Sequence, residues 1–502
     1  MNSVNELLYG FSIALAWENL LAALTGATIG TLVGVLPGIG PIGAMALLLP
    51  ATLGLRPETA LVMLAAIYYG SMYGGSTTSI LMNVPGETAS VVTALDGYEM
   101  AKRGRAGAAL AVAAVGSFVA GTLGVVGLML FTPVLANFAL AFGPPEYFVL
   151  ALVGLFVLSR VSGGSVWKGL LVLAFGLALG TVGMEPISGV RRYTFGRLNL
   201  AQGIELVPVA MGLFGMAEVL LVAERMGGLP KVEGVRLRDL LPTGTEWRRA
   251  LPAILRGAAV GFPVGLVPGP AVVIASFASY NLERRLAKRP DELGRGAIEG
   301  VAGPEAANNA ATTGAMIPLM ALGVPFAPAV AMLLSALMIH GVQPGPLLMQ
   351  ERPEVFWGLV ASMYVGNAAL LILNLPLVGF WVSLLRIPQP MLLVLVLVFM
   401  LVGTFSVNNS VLDLLVLLAM GILGYILKKL DFDVAPLILA LVLGPMLERT
   451  FRQSLYMSRG DPLVFLQRPI SGGLLLAMVL GIVASVIWRR VRATRGSGAL
   501  HK

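Results

Sequence analysis

The chain has 502 residues, of which 57% are apolar and 12% charged, with a net charge of +8 and no cysteine. Ordinary soluble domains hold roughly 45–50% apolar and about 25% charged residues, so soluble enzymes, nucleic-acid binders and disordered tails are excluded. The basic excess reports membrane topology before any anionic partner, and the lack of cysteine removes disulfides, thiol catalysis and thiolate metal sites.

Residues 19–55, 59–86, 106–145, 306–350, 355–385, 387–412 and 469–488 contain no Asp, Glu, Lys or Arg. About 20 residues cross a hydrocarbon core of roughly 30 Å, so the longest runs hold more than one membrane segment. The runs do not alternate polar and apolar residues as barrel strands do. The expected fold class is therefore an all-α polytopic integral membrane protein. His340 and His501, the two histidines, are too few for a histidine metal centre.

In chain order, the N-terminal segment 1–17 has no Lys or Arg before its apolar region, so no cleavable signal peptide is expected. A first repeat is expected over 18–224, a charged cytoplasmic linker over 225–248, and a second repeat over 249–468. A last helix and a basic cytoplasmic tail fill 469–502. The repeat rests on four collinear matches. GVLPGIGP at Gly34 answers GLVPGPAV at Gly265, and the VP at Val84 answers the VP at Val324. LDGYEM at Leu95 answers IHGVQP at Ile339, and SVWKGLLVLAFGLALG at Ser165 answers SVLDLLVLLAMGILGY at Ser410.

Strongly basic loops occupy non-equivalent places in the two halves, at Lys102–Arg105 in the first and Arg284–Arg295 in the second. Equivalent loops of inverted repeats lie on opposite sides of the membrane, so inversion is expected. With 102–105, 160–168, 225–249, 284–295, 386, 428–429 and the tail cytoplasmic, that side holds 24 of the 34 basic residues. Arg191, Arg192 and Arg197 run against this assignment.

Glycine and proline interrupt the apolar runs at LPGIGP and VPGP, and again in GGSTTSILMNVPG and ANNAATTGAMIPLMALGVP. Broken helices and re-entrant hairpins are expected there. Non-helical backbone at membrane depth is tolerated only inside protein or beside a wet cavity, and paired interruptions in two halves point to a transport site. Packing of helices through small residues explains the glycines but not the clustered polar side chains. The first-half substrate candidates are Ser76, Thr77, Thr78, Ser79, Asn83, Pro85 and Gly86. The second-half candidates are Asn308, Asn309, Thr312, Thr313, Pro325 and Phe326. Gly38, Gly40 and Gly43 spell G-x-G-x-x-G, but inside a 37-residue uncharged run rather than a βαβ unit. No phosphate-binding G-x-x-x-x-G-K-[ST] loop and no H-E-x-x-H motif occurs, so neither ATP use nor metalloprotease chemistry is expected.

At these same residues the sequence resembles the large membrane subunit of the tripartite tricarboxylate transporters. The resemblance rests on LPGIGP, on Tyr68 to Gly107, on EGVAGPEAANNAA from Glu299 and on HGVQPGP from His340. It implies a bacterial inner-membrane permease that works with a small four-helix membrane subunit and a periplasmic solute-binding protein delivering di- or tricarboxylates. An ion gradient, Na⁺ or H⁺, would drive uptake, with no other cofactor and no nucleic-acid partner. The chain departs from the family at Phe326, Ala327 and Pro328, where the family usually has Gly and small polar residues after the VP.

Neither interrupted segment contains Lys or Arg, so a carboxylate would be held by backbone N–H groups, helix N-termini and Ser, Thr or Asn donors. Sodium would be expected near Gly38, Gly40, Gly269, Asn308 and Asn309, through freed carbonyls and amide oxygens. Protons would instead travel on Asp96, Glu299, Glu305 or His340. The turns at Asn83–Glu87 and Gly323–Ala327 are expected to face each other across one site. A channel or scaffold subunit without coupling is the competing expectation.

Overall fold

A computed structural model describes residues 3–36, 40–161, 165–185, 188–224, 241–384 and 389–497. The expected site residue Gly38, linker residues 225–240, Arg386 and His501 lie outside them. The described chain is helical apart from one antiparallel pair of two-residue strands, β1 (Gly183–Met184) and β2 (Arg191–Arg192).

The first half runs α1 (Ser3–Ala14), α2 (Trp17–Val35), the short α3 (Gly40–Leu48), α4 (Pro57–Met82), α5 (Val91–Lys102) and the 34-residue α6 (Ala106–Ala139). It continues with α7 (Pro144–Val161) and α8 (Val166–Gly180), then α9 (Leu206–Ala210), which passes through a π-helical turn into α10 (Ala217–Glu224). The second half runs α11 (Gly244–Gly265), α12 (Ala271–Leu286), α13 (Glu299–Gly314), α14 (Met316–Leu322) and α15 (Pro328–Ile339). Next come α16 (Leu348–Glu351), α17 (Pro353–Asn374), α18 (Val378–Leu384), α19 (Gln389–Asn408) and α20 (Val411–Lys429). The chain closes with α21 (Ala435–Met457), α22 (Val464–Gln467) and α23 (Pro469–Ser497). Among the described residues, six helical stretches are long and apolar enough to cross a membrane, within Trp17–Val35, Ala106–Ala139, Leu206–Glu224, Pro353–Asn374, Pro390–Asn408 and Val411–Lys429.

Local chemistry sets the boundaries. Pro57, Pro328 and Pro353 open their helices, where a missing N–H costs nothing. Thr243 and Glu246 form a reciprocal capping box at the start of α11. The matched VP turns have matched backbones: α4 ends on left-handed Asn83 (φ 56°) and α14 on left-handed Gly323 (φ 69°), each stopping a helix so that a shorter one can fold back.

Two glycine stripes bind the long helices. A methyl added to Gly26, Gly30 or Gly34 of α2 would sit 2.3, 2.6 or 2.3 Å from the carbonyl oxygens of Met63, Ile67 and Ser71 on α4. On α11, a methyl at Gly257, Gly261 or Gly265 would sit 2.2, 2.1 or 2.4 Å from those of Gly303, Ala307 and Ala311 on α13. Such close approach suits a membrane, where dispersion contacts between backbones replace the hydrophobic drive. The packing is also reciprocal between halves: α4 lies on α17 as α13 lies on α6, and α15 lies on α4 as α5 lies on α13.

One expectation needs correction. The polar clusters do not sit at helix breaks. Residues 74–82 continue α4, and Asn308, Asn309, Thr312 and Thr313 lie within α13, which stays helical through Gly303 and Pro304. The chain leaves regular helix only at Ala315 and Gly323. Glycines that look like breakers are packing surfaces: a methyl on Gly303 would meet the Ser279 hydroxyl at 2.8 Å, and proline is tolerated when neighbouring helices satisfy the freed carbonyl.

Candidate functional site

Every residue of α13 is buried, and at its centre Glu305 has no solvent exposure. Its Oε2 accepts from Ser76 Oγ of α4 at 2.6 Å and from Asn308 Nδ2 at 3.3 Å. Its Oε1 accepts from the Thr93 hydroxyl of α5. Asn309 Nδ2 reaches Ser117 Oγ of α6 at 2.8 Å and Asn308 Oδ1 at 2.5 Å. Three helices, α4, α5 and α13, thus meet at one carboxylate through neutral groups, with no basic side chain bonded to it among the described residues. Burying an unpaired charge costs several kcal/mol or more, so such a group calls for a proton or a cation. An ionisable residue in a membrane interior is a functional candidate by default.

Three other buried acids are already matched. Asp96 accepts from Tyr280 Oη (2.9 Å) and from the N–H groups of Gly294, Gly296 and Ala297 at 2.9, 2.8 and 2.8 Å. Glu299 is bidentate to Arg249 at 2.7 and 2.8 Å, and Glu283 to Arg256 at 2.8 and 2.7 Å. These geometries make Asp96 and Glu299 structural anchors. His340 lies half-buried, 3.4 Å from the Thr52 hydroxyl. Glu87 resembles Glu305 more closely. Its Oε2 caps Ala89 N–H at 2.8 Å, while its buried Oε1 has no partner among the described residues. Its Cγ lies 2.7 Å from where a methyl on Gly75 would be, next along α4 to Ser76.

Of the expected substrate residues, Ser76, Asn308 and Asn309 meet around Glu305. Thr77 lines a small polar cavity beside them, with Tyr73, Ser76, Ser117 and Asn374. Thr78 and Ser79 turn back on Gly75 O (3.4 and 3.0 Å), and Ser79 also reaches Ser90 Oγ at 2.8 Å. Thr312 and Thr313 donate to the carbonyls of Asn308 and Asn309 at 2.8 and 3.2 Å, the local bond such residues make inside helices.

The first turn packs against α2 and α4 of its own half, whereas the second also touches α7 of the first half. Asn83 is exposed, Pro85 half-buried, and a methyl on buried Gly86 would sit 2.0 Å from Gly34 O. Pro325 and Phe326 are buried; Phe326 O accepts from Gly269 N–H at 2.9 Å, and its ring lies beside Gly154 and Pro268. Gly40 and Gly269 both have positive φ, 65° and 132°.

Sequence reasoning missed Thr93, Ser117, Tyr73, Asn367 and Asn374. Tyr73 donates to Asn367 Oδ1 across the halves, and Asn367 Nδ2 binds Phe118 O and Thr122 Oγ1 at 2.8 and 2.9 Å. A signal existed. Asn367 and Asn374 are two helical turns apart in a charge-free run, which puts both amides on one face.

Residues 20–439 match the Tripartite tricarboxylate transporter TctA family. The chain belongs to this family. TctA proteins are subunits of membrane transporters, which fits the buried polar core among apolar helices. Two relatives from Agrobacterium vitis are similar to this TctA chain. The "Uncharacterized 52.8 kDa protein in TAR-I ttuC' 3'region" is 46% identical over 496 residues, 99% of this chain and 98% of the relative. The "Uncharacterized protein in TAR-II ttuC' 3'region" is 45% identical over 234 residues, 46% of this chain and 97% of the relative. No solved structure matches.

Proposed function

We propose that this TctA chain is the permease subunit of an ion-gradient-driven uptake system for di- or tricarboxylates in a bacterial inner membrane. A periplasmic binding protein delivers the substrate, and a small four-helix membrane subunit completes the assembly. The chain uses no ATP and catalyses no covalent step. The observation that carries this reading is Glu305, a fully buried carboxylate that α4, α5 and α13 hold, among the described residues, with neutral donors only. Capture of an anionic substrate is supported by α12 and α15, which both start just after chain interruptions. Their N-termini carry partial positive charge and free N–H groups. In the three-component system reconstituted in vesicles, labelled carboxylate uptake should require all three proteins; equal uptake by this chain alone contradicts the tripartite assignment.

The repeats over 18–224 and 249–468 are proposed to be inverted. Ion pairs gather the flanking segments by side: Arg105 binds Glu246 at 2.5 Å, and Arg249 binds Glu292 at 2.6 Å. Lys428 binds Glu218 at 2.8 Å, and Lys168 Nζ donates to Leu430 O at 2.6 Å. Arg105 precedes α6, whereas Glu146, paired with Arg468 at 2.7 Å, follows its far end. Arg192, which runs against the charge rule, is bidentate to Glu448 at 2.9 and 3.0 Å, so its charge is locally neutralised. With no native cysteine, Lys102→Cys and Arg285→Cys should both resist an impermeant thiol reagent in intact cells and react after the inner face is exposed. Labelling of either from the periplasm contradicts the inversion.

A further inference from the structure

Beside Glu305 lies a cavity of about 10 Å³ walled by Tyr73, Ser76, Thr77, Ser117 and Asn374 with alanine and leucine side chains. That is room for about one water-sized particle and far too little for a carboxylate. The polar wall has a sign. The hydroxyl hydrogen of Tyr73 goes to Asn367, and that of Ser76 goes to Glu305, so these oxygens meet the cavity as acceptors. Asn374 is 6% exposed; its Nδ2 donates to Leu370 O at 2.9 Å and reaches Thr31 Oγ1 at 3.4 Å, which fixes the amide orientation. Its buried Oδ1 then has no donor among the described residues. Ser117 Oγ accepts from Asn309. Tyr73, Ser76 and Asn374 thus turn acceptor oxygens to the cavity, and Thr77 and Ser117 add two hydroxyl oxygens, a lining that suits a small cation. The negative charge to balance such a cation is Glu305, one hydroxyl away through Ser76.

We infer that this cavity is a sodium-sized monovalent cation site. Tyr73, Ser76, Thr77, Ser117 and Asn374 supply oxygens, and Glu305 supplies the balancing charge without entering the cavity wall. The ligands come from both halves, α4 and α6 against α17, so their distances change if the halves move relative to one another. That would couple the ion to transport. The inference rests on the carrier reading for its purpose, but its chemistry is testable without transport.

The test is thermal unfolding of the purified full chain in detergent, without substrate, in sodium chloride against potassium or choline chloride at equal ionic strength. Sodium should raise the unfolding temperature selectively and saturably. Asn374→Leu, which keeps the volume and removes the orphan oxygen, should raise the half-saturating sodium concentration about tenfold, the effect of losing one buried polar ligand. Thr77→Val removes an oxygen from the other half and should weaken sodium in the same direction, which keeps the test open if Asn374→Leu does not fold. Equal stability in all three salts means that the cavity holds water only and overturns the inference, as does an undiminished sodium effect in both variants. Carboxylate uptake that persists in a chain without sodium-selective stabilisation overturns the cation site alone and leaves the carrier reading standing.

Discussion

Glu305→Gln is expected to leave the protein inserted and folded while lowering driven uptake about 10- to 100-fold, the size of losing hydrogen bonds to a charged group. The side chain keeps its shape, so α4, α5 and α13 still pack around it. The amide has a single acceptor oxygen, however, and Ser76 and Thr93 both donate to the present carboxylate. One of them must lose its partner, and the negative charge disappears. Glu305→Ala should be worse for stability, because it leaves Ser76, Thr93 and Asn308 facing a void. Uptake and unfolding temperature measured on both variants separate the roles. If the glutamine variant transports with unchanged ion dependence, the carboxylate is a structural hub.

Gly261→Val should be the most damaging single substitution on the α11–α13 interface. The first added carbon alone would lie 2.1 Å from Ala307 O and 2.7 Å from its Cα, both rigid backbone of the helix that carries Glu305. Overpacking costs about 1–3 kcal/mol where side chains can adjust, and here only a helix shift relieves the clash. The expected outcome is a marked fall in unfolding temperature and loss of uptake. Gly54→Ala, exposed and with nothing near its added methyl, is the control and should behave as wild type. A folded, active Gly261→Val protein would show that the two helices are not in close backbone contact.

The membrane class was legible in charge-free runs alone, since no soluble fold tolerates them. The two VP turns were legible as well: proline after a helix-terminating residue is a local signal, and Asn83 and Gly323 both adopt the left-handed conformation that such a stop requires. What failed was the reading of Gly303 and Pro304 as a break near Asn308. A glycine that ends a helix and one that lets a neighbour approach look alike in sequence; only the partner helix distinguishes them, and α12 is the partner of Gly303. The role of Asp96 was equally hidden. Its three backbone donors come from residues 294–297, about two hundred positions later, and it is tertiary folding that turns this acid into an anchor and leaves Glu305 without a basic partner among the described residues. Thr93 and Ser117 carried no local signal because single hydroxyls are common in apolar helices.

The most direct measurement of the central claim is the accumulation ratio of labelled carboxylate in vesicles containing the three-component system, with an inward sodium or proton gradient imposed and then collapsed. An ion-coupled carrier must raise the internal concentration above the external one while the gradient lasts and release the excess when it is collapsed. Internal carboxylate that never exceeds the external concentration under either gradient would mean a passive channel or scaffold and would contradict the account.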